Sequence, residues 1–267
     1  RHKYKMKNTT GYSLNSFVDF SNPIDIIQHL MIGSEGTLGF ISEITYRTVL
    51  EAPHKASALI LFQNMRDACN AVFTLKKQAV DAVEIMDRAA LRSVENKEGM
   101  PEYLKTLGES VTSLLIETSA IDKAELQKQM TKIARSLNNY DLVLPIVFTD
   151  VISEYSKLWD IRKGLFPSVG AMRKIGTSCI IEDVAFPIDK LADAALELQS
   201  LFAKYHYDEA IIFGHSLEGN LHFVFNQDFS GDSEVQRYKA FMDEVIEMTA
   251  GKYKGSLKAE HGTGRNM

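Results

Sequence analysis

A chain of 267 residues, 45% hydrophobic and 24% charged, has the make-up of a globular protein able to bury one large core or two moderate ones. A net charge of −5 excludes a general nucleic-acid binder, which needs a basic stripe, and no polybasic run marks a membrane surface. Cys69 and Cys179 stand far apart without CxxC spacing, no apolar run approaches the roughly 20 residues of a bilayer span, and no signal peptide is visible, so a disulfide framework is excluded and a reducing, cytoplasmic setting is expected.

Residues 1–52 read as strands and one short helix. Asn8-Thr9-Thr10-Gly11-Tyr12 is turn chemistry, and Ser21-Asn22-Pro23 opens a helix through Leu30 with a cap and an early proline. Met31 to Ile44 then holds three glycines and small hydroxyls before a β-rich exit, a loop where backbone N–H groups can approach a ligand closely. A structural turn is the plainer alternative, and the spacing is neither the P-loop nor the dinucleotide fingerprint.

Glu51-Ala52-Pro53-His54 reads as a linker, after which strands and helices alternate. Strands are expected at 56–62, 82–86, 113–117, 142–148, 178–186 and 257–260, with a hairpin over 210–225. Helices are expected at 65–78, 123–137, 188–205 and 233–253, with a long helical stretch over 152–174 interrupted at Phe166-Pro167. This rhythm predicts an α+β fold whose mainly antiparallel sheet carries helices on one face. There is no low-complexity segment and no precise sequence repeat.

The hairpin carries the clearest chemistry. In Gly214-His215-Ser216-Leu217-Glu218-Gly219-Asn220-Leu221-His222, a two-residue Glu218-Gly219 loop would set His215 opposite His222, with Cβ atoms roughly 4.5–5.5 Å apart. Two imidazoles so placed suit one divalent ion, zinc being the best match, and Glu260 is the candidate third ligand. A cap histidine and a core histidine would be the bland alternative. Asn220 is expected away from the face of both histidines, orienting the turn or facing a flavin. His261 follows Glu260 directly, so on a regular strand it would point to the opposite face unless a turn intervenes, which Gly262 permits.

Three segments together resemble one family. Lys7-Asn8-Thr9-Thr10-Gly11-Tyr12 followed by Ile32-Gly33-Ser34-Glu35-Gly36-Thr37-Leu38-Gly39 looks like the end of the FAD-binding domain in FAD-linked oxidases of the vanillyl-alcohol oxidase superfamily. Gly214-His215 through His222, and Glu260-His261-Gly262, look like that family's C-terminal cap domain, with ferredoxin-like halves. The resemblance is to its D-lactate, glycolate and D-2-hydroxyglutarate dehydrogenases. It implies a division into 1–52, the end of the FAD-binding domain, and 53–267, the substrate cap. Both ends have the look of cuts, so a fragment of a longer protein is expected, itself inactive. The Asn-Thr-Thr-Gly-Tyr insert and Glu182-Asp183-Val184-Ala185-Phe186-Pro187 are similar to the large members that also carry an iron–sulfur module, which would lie outside this chain.

The resemblance further implies oxidation of a D-2-hydroxy acid to the 2-oxo acid with hydride passing to FAD. It implies an ion on His215, His222 and Glu260, His261 as the general base, and Arg162 of Trp159-Asp160-Ile161-Arg162 as the substrate-carboxylate clamp. Arg173 and Lys174 are a reserve pair for that clamp, Thr177 is a candidate hydroxyl contact, and Asp183 would either meet the flavin edge or be solvated. Gly33, Ser34, Gly36, Thr37, Gly39 and Ile41 would contact FAD, while Glu35 would hold the loop's own backbone. Expected partners are a small 2-hydroxy acid and an electron acceptor (a quinone, a flavoprotein or an iron–sulfur module). No transmembrane segment is expected, with peripheral contact at the inner membrane face left open for the longer protein. Two alternatives stand beside this reading: a metal-independent flavin oxidase that passes electrons to oxygen, and a non-catalytic module stabilised by a structural ion.

Overall fold

Leu114, Leu115 and Ile116 follow one another along a single strand and all are fully buried. Successive side chains of a strand face opposite ways, so such a sheet needs cover on both sides. In the computed structural model, which describes residues 2–262, that sheet has six strands: β1 (His54–Phe62), β2 (Ala82–Met86), β3 (Thr112–Ala120), β4 (Thr177–Ala185), β5 (Ile211–His215) and β6 (Asn220–Asp228). Their order is β1-β3-β2-β5-β6-β4, and every neighbouring pair is antiparallel.

The helices are α1 (Ser16–Asp19), α2 (Pro23–Met31), α3 (Met65–Leu75), α4 (Arg88–Val94), α5 (Lys123–Ser136), α6 (Ile152–Lys163), α7 (Leu165–Met172), α8 (Leu191–Lys204) and α9 (Asp232–Ile246). Several begin where the sequence places a cap: Asn22 accepts from Ile24 N, Asn64 from Asp67 N and Asp122 from Glu125 N. One face of the sheet packs against α3, α5, α8 and α9 through Val72, Leu75, Ile133, Leu198, Phe202 and Phe241. That is the expected helix-covered face. The opposite face is covered in part as well, by α4, α6 and α7 through Leu91, Ile161, Leu165 and Val169 against Leu115, Ile181, Phe213 and Val224.

The ferredoxin-like halves are present. The second half runs strand, helix, strand, strand, helix, and then an extended segment returning beside its first strand; the first half follows the same order with α4 inserted between its second and third strands. In both halves that fourth segment makes only isolated bridges: Ser57–Thr149 and Phe62–Leu142 in the first, Ala185–Ser256 in the second. The strands expected at 142–148 and 257–260 are therefore edge segments that touch the sheet without a continuous ladder. The helical stretch over 152–174 breaks at Gly164 rather than at Phe166-Pro167. Pro167 falls in the first turn of α7, where its missing N–H costs nothing.

The strands expected within 1–52 are not found among the described residues. Residues 39–53 are irregular, with Phe40, Val49 and Leu50 exposed. The segment before them is anchored to the far end of the chain: Thr9 N donates to Lys258 O at 2.9 Å and Gly262 N donates to Thr9 Oγ1 at 3.0 Å. Cys69 and Cys179 are free thiols. Among the described residues no helix is long and apolar enough to cross a membrane.

The β5–β6 connection is the tightest point of the second half. Gly219 has φ +65°, and a Cβ there would lie 2.0 Å from Phe186 O. Phe186 N in turn donates to Gly219 O at 2.9 Å. Gly219→Ala is expected to destabilise the chain by about 3 kcal/mol, combining left-handed strain with an unavoidable backbone clash. Urea denaturation measures it; a loss of less than about 1 kcal/mol would mean that the turn is more pliable than this packing implies.

Candidate active site on the uncovered part of the second sheet face

On the second sheet face, beyond the reach of α7, the alternating pattern places polar groups where apolar ones would be expected. Asp183 on β4 is registered opposite His222 on β6, and Glu84 on β2 opposite His215 on β5. Ile181, Val224, Met86 and Phe213 continue the same face as buried apolar neighbours. Four ionisable side chains therefore form a staggered row at the end of an otherwise apolar surface, a placement that is costly unless each group has a partner.

The hairpin differs from the expected one. Its loop is a 3-10 turn over Ser216–Glu218 followed by left-handed Gly219, and the ladder pairs Phe213, not His215, with His222. The register has slipped by two residues, which keeps every side chain on its face. His215 and His222 are thus diagonal neighbours whose ring centroids stand 5.4 Å apart at 88°. Asn220, two residues from His222, shares its face, contrary to expectation, and donates Nδ2 to Asp183 Oδ1 at 2.7 Å.

Glu260 completes a triad. Its Oε2 lies 3.5 Å from His215 Nε2 and 3.6 Å from His222 Nε2. Four-coordinate bonds of about 2.0–2.2 Å separate neighbouring ligand atoms by about 3.4 Å, so these distances suit one small divalent ion held by two imidazoles and a carboxylate. Behind the triad, His215 Nδ1 meets Glu84 Oε1 at 2.5 Å, which fixes the ring and turns Nε2 toward the triad. His222 is only 4% exposed and its Nδ1 makes no hydrogen bond, with Asp183 Oδ1 3.5 Å away. The donor set therefore fits a metal. Lys7 pairs with the other oxygen of Glu260 and leaves Oε2 to the histidines.

The electrostatics follow from these contacts. Hydrogen bonds to Glu260 and Glu84 raise the His215 pKa to about 9, whereas burial lowers that of His222 to about 4. Glu260 is held well below the usual carboxylate range by the His215 bond first and by Lys7, against the opposing effect of burial. Burial pushes Glu84 up, but His215 and Arg162 more than offset it and leave it lowered.

Arg162 comes from α6. Its Nε donates to Glu84 Oε2 at 2.8 Å and its guanidinium lies over the Phe213 ring at 4.4 Å. Glu84 thus joins Arg162 to His215, while no acceptor among the described residues meets the terminal Nη groups. His261 is brought in as well. The chain bends over Ala259–His261, so the strand alternation that would have turned His261 away does not apply, and its ring stacks on His222 at 5.2 Å and 19°. Asp183 is not solvated: it is fully buried, and its Oδ2 accepts from the backbone N–H of both Glu260 and His261.

Other expected contacts lie elsewhere. Thr177 pairs with Asp228, six residues from the Asp183–His222 pair, which is roughly 20 Å along the strand. Thr177 and Lys174 line a separate cleft of about 460 Å³ with Asp228 and Arg237, and Arg173 donates to Gly170 O. Neither the reserve pair nor Thr177 reaches the site, because the short turn 173–176 ties them to the start of β4. Glu84 escaped sequence reasoning, although a lone carboxylate inside the apolar run Ala82–Met86 is the signal that marks it.

In the glycine loop, Gly33 and Gly36 both have φ +77° and Glu35 has φ +53°. Thr37 Oγ1 donates to Ser34 O and meets Tyr12 OH at 2.9 Å. The N–H groups of Glu35 and Gly36 have no acceptor among the described residues, which fits a loop offering N–H groups to an anionic or carbonyl-bearing ligand. Gly39 and Ile41 are exposed. Glu35, expected to hold its own loop, reaches instead to Gly262, where an added Cβ would lie 1.6 Å from its Oε1.

Residues 51–267 match the family described as FAD linked oxidases, C-terminal domain. The chain belongs to that family. It is 28% identical to a D-lactate dehydrogenase of Anaerostipes hadrus over 97% of this chain and 51% of that one. It is also 28% identical to a probable mitochondrial D-2-hydroxyglutarate dehydrogenase of Oryza sativa subsp. indica, over 97% of this chain and 43% of that one. Among solved structures, an alkyldihydroxyacetonephosphate synthase shares the fold, with a TM-score of 0.61 and 16% identity over 89% of this chain and 46% of that one. The chain spans about half the length of the curated relatives it matches.

One pH dependence follows for the metal-free chain. A histidine whose pKa rises from 6.5 unfolded to about 9 folded adds stability that is fully present below pH 6.5 and is lost as pH rises through about 9. The urea midpoint of chelator-treated protein should therefore fall between pH 6.5 and 9, and His215→Gln should flatten that slope. An undiminished slope in the variant would place the dependence on another group.

Proposed function

We propose that this chain is the substrate-cap part of a flavin-dependent dehydrogenase that oxidises a D-2-hydroxy acid to the 2-oxo acid. The observation that carries the reading is the convergence of His215, His222 and Glu260 on one point, with His261 stacked beside them and Arg162 joined to them through Glu84. The D-lactate and D-2-hydroxyglutarate dehydrogenases among the relatives support the substrate class.

A divalent ion held by His215 Nε2, His222 Nε2 and Glu260 Oε2 would bind the substrate's oxygens and lower the pKa of its hydroxyl. FAD, contacted by the loop at Gly33, Ser34, Gly36 and Thr37 and by main-chain groups of Gly39 and Ile41, would supply the hydride acceptor. The protein's own residues do the rest. Arg162 spends Nε on Glu84 and keeps its Nη groups to grip the substrate carboxylate, while Phe213 beneath the guanidinium fixes its plane. His261 receives the hydroxyl proton on its imidazole. Glu84 keeps His215 in the tautomer whose Nε2 is free.

An iron–sulfur module, a quinone or a second flavoprotein as electron acceptor is proposed on the resemblance alone. The metal-independent oxidase is distinguished by stoichiometric hydrogen peroxide in turnover, and a purely structural ion by a fourth protein ligand, which no described residue supplies to this triad.

His222→Ala should lower zinc affinity by on the order of a hundredfold or more and abolish turnover in the flavin-loaded full-length protein. Undiminished turnover without metal would overturn the mechanism. Arg162→Lys should raise KM for the hydroxy acid by roughly tenfold or more, since an ammonium cannot keep the Glu84 bond and grip a carboxylate with a planar fork. An unchanged KM would remove Arg162 from the carboxylate site.

A further inference from the structure

We propose that Asp183 is the positioning residue that turns Glu260 and His261 together toward the histidine pair, its carboxylate replacing the backbone acceptor that a continuous fourth strand would provide. The inference rests on the metal reading given above. Along the edge of β4, Ala185 exchanges both backbone hydrogen bonds with Ser256, and Ala259 N still reaches Asp183 O at 3.2 Å. At the next two residues the pattern changes. Glu260 N and His261 N both donate to Asp183 Oδ2, at 2.5 and 2.9 Å.

Two consecutive N–H groups converging on one oxygen cannot belong to an extended strand, whose N–H groups alternate in direction. The bend they define is what allows neighbouring side chains to share a site. Asp183 is itself held. It is fully buried, and Oδ1 accepts from Asn220 Nδ2 at 2.7 Å, while Asn220 also donates to Val184 O at 3.0 Å.

A second ion on Asp183, His222 and His261 is the competing account, since these residues also cluster. Each oxygen of Asp183 already accepts a hydrogen bond, two of them from backbone groups that cannot turn away, so a ligand role would break the bracket that holds Glu260. We therefore assign Asp183 to positioning.

The test uses the full chain, with zinc affinity read by chelator competition and ligand geometry by the visible bands of the cobalt(II)-loaded protein. Asp183→Ala removes the bracket and should weaken zinc binding tenfold or more, with altered cobalt bands. Asp183→Asn keeps one oxygen for the two N–H groups, and a flip of the Asn220 amide, which gives up its bond to Val184 O, provides an acceptor for the new nitrogen. It should bind within about threefold of the parent and restore the cobalt bands. Should Asp183→Ala unfold, Asp183→Ser, whose shorter hydroxyl cannot span both N–H groups, takes its place with the same expectation. A folded Asp183→Ala or Asp183→Ser with parental affinity and parental bands would overturn the proposal. So would a second zinc per chain that disappears with Asp183. A parent chain without zinc affinity would instead overturn the metal reading itself, and this inference with it.

Discussion

Cross-strand register is the constraint on which the site depends. Asp183 opposite His222 and Glu84 opposite His215 are polar pairs on a sheet face that is otherwise apolar. Each member is tolerable there only because partners arrive from other elements: Arg162 from α6 for Glu84, Asn220 and the 260–261 backbone for Asp183, and Glu260 for both histidines. Moving β2 or β6 by one residue would turn Glu84 or His222 into the opposite core and bring an apolar side chain to the site.

The two ferredoxin-like halves explain where the site lies. They meet along the β2–β5 seam, and Glu84 and His215 are its last registered pair. The first half thereby orients a candidate ligand of the second. The second half leaves its fourth strand unfinished, and the freed backbone at 260–261 brings two side chains to one place. The N-terminal segment closes the arrangement from outside through Lys7 on Glu260, Thr9 on Gly262 and Glu35 beside Gly262. The flavin-loop candidate therefore reaches Gly262, two residues beyond Glu260.

Much of this was legible in the sequence, because the signals were local. The cap at Asn22 gave a helix start, the apolar runs gave β1 to β6, and His215, His222, Glu260 and His261 announced themselves by residue type and spacing. What stayed hidden was set by long-range geometry. A two-residue slip in the hairpin leaves the alternation unchanged, so the pattern could not separate the two registers. The segments 142–148 and 257–260 have strand composition, but whether a ladder forms depends on the neighbouring edge. Glu84 read as an ordinary carboxylate, and Asp183 as a flavin-edge or solvated one, until the fold places a histidine and a bent backbone against them. Thr177 read as a site residue through the family resemblance, whereas the fold sets it six residues along the strand from Asp183.

The account stands or falls on the coordination at His215, His222 and Glu260. Zinc K-edge X-ray absorption on the zinc-loaded chain measures it directly. Two imidazole nitrogens and one carboxylate oxygen at about 2.0–2.2 Å, together with a water oxygen, make up the predicted coordination. A shell with one imidazole or none, or failure of the chain to take up the ion, would contradict it.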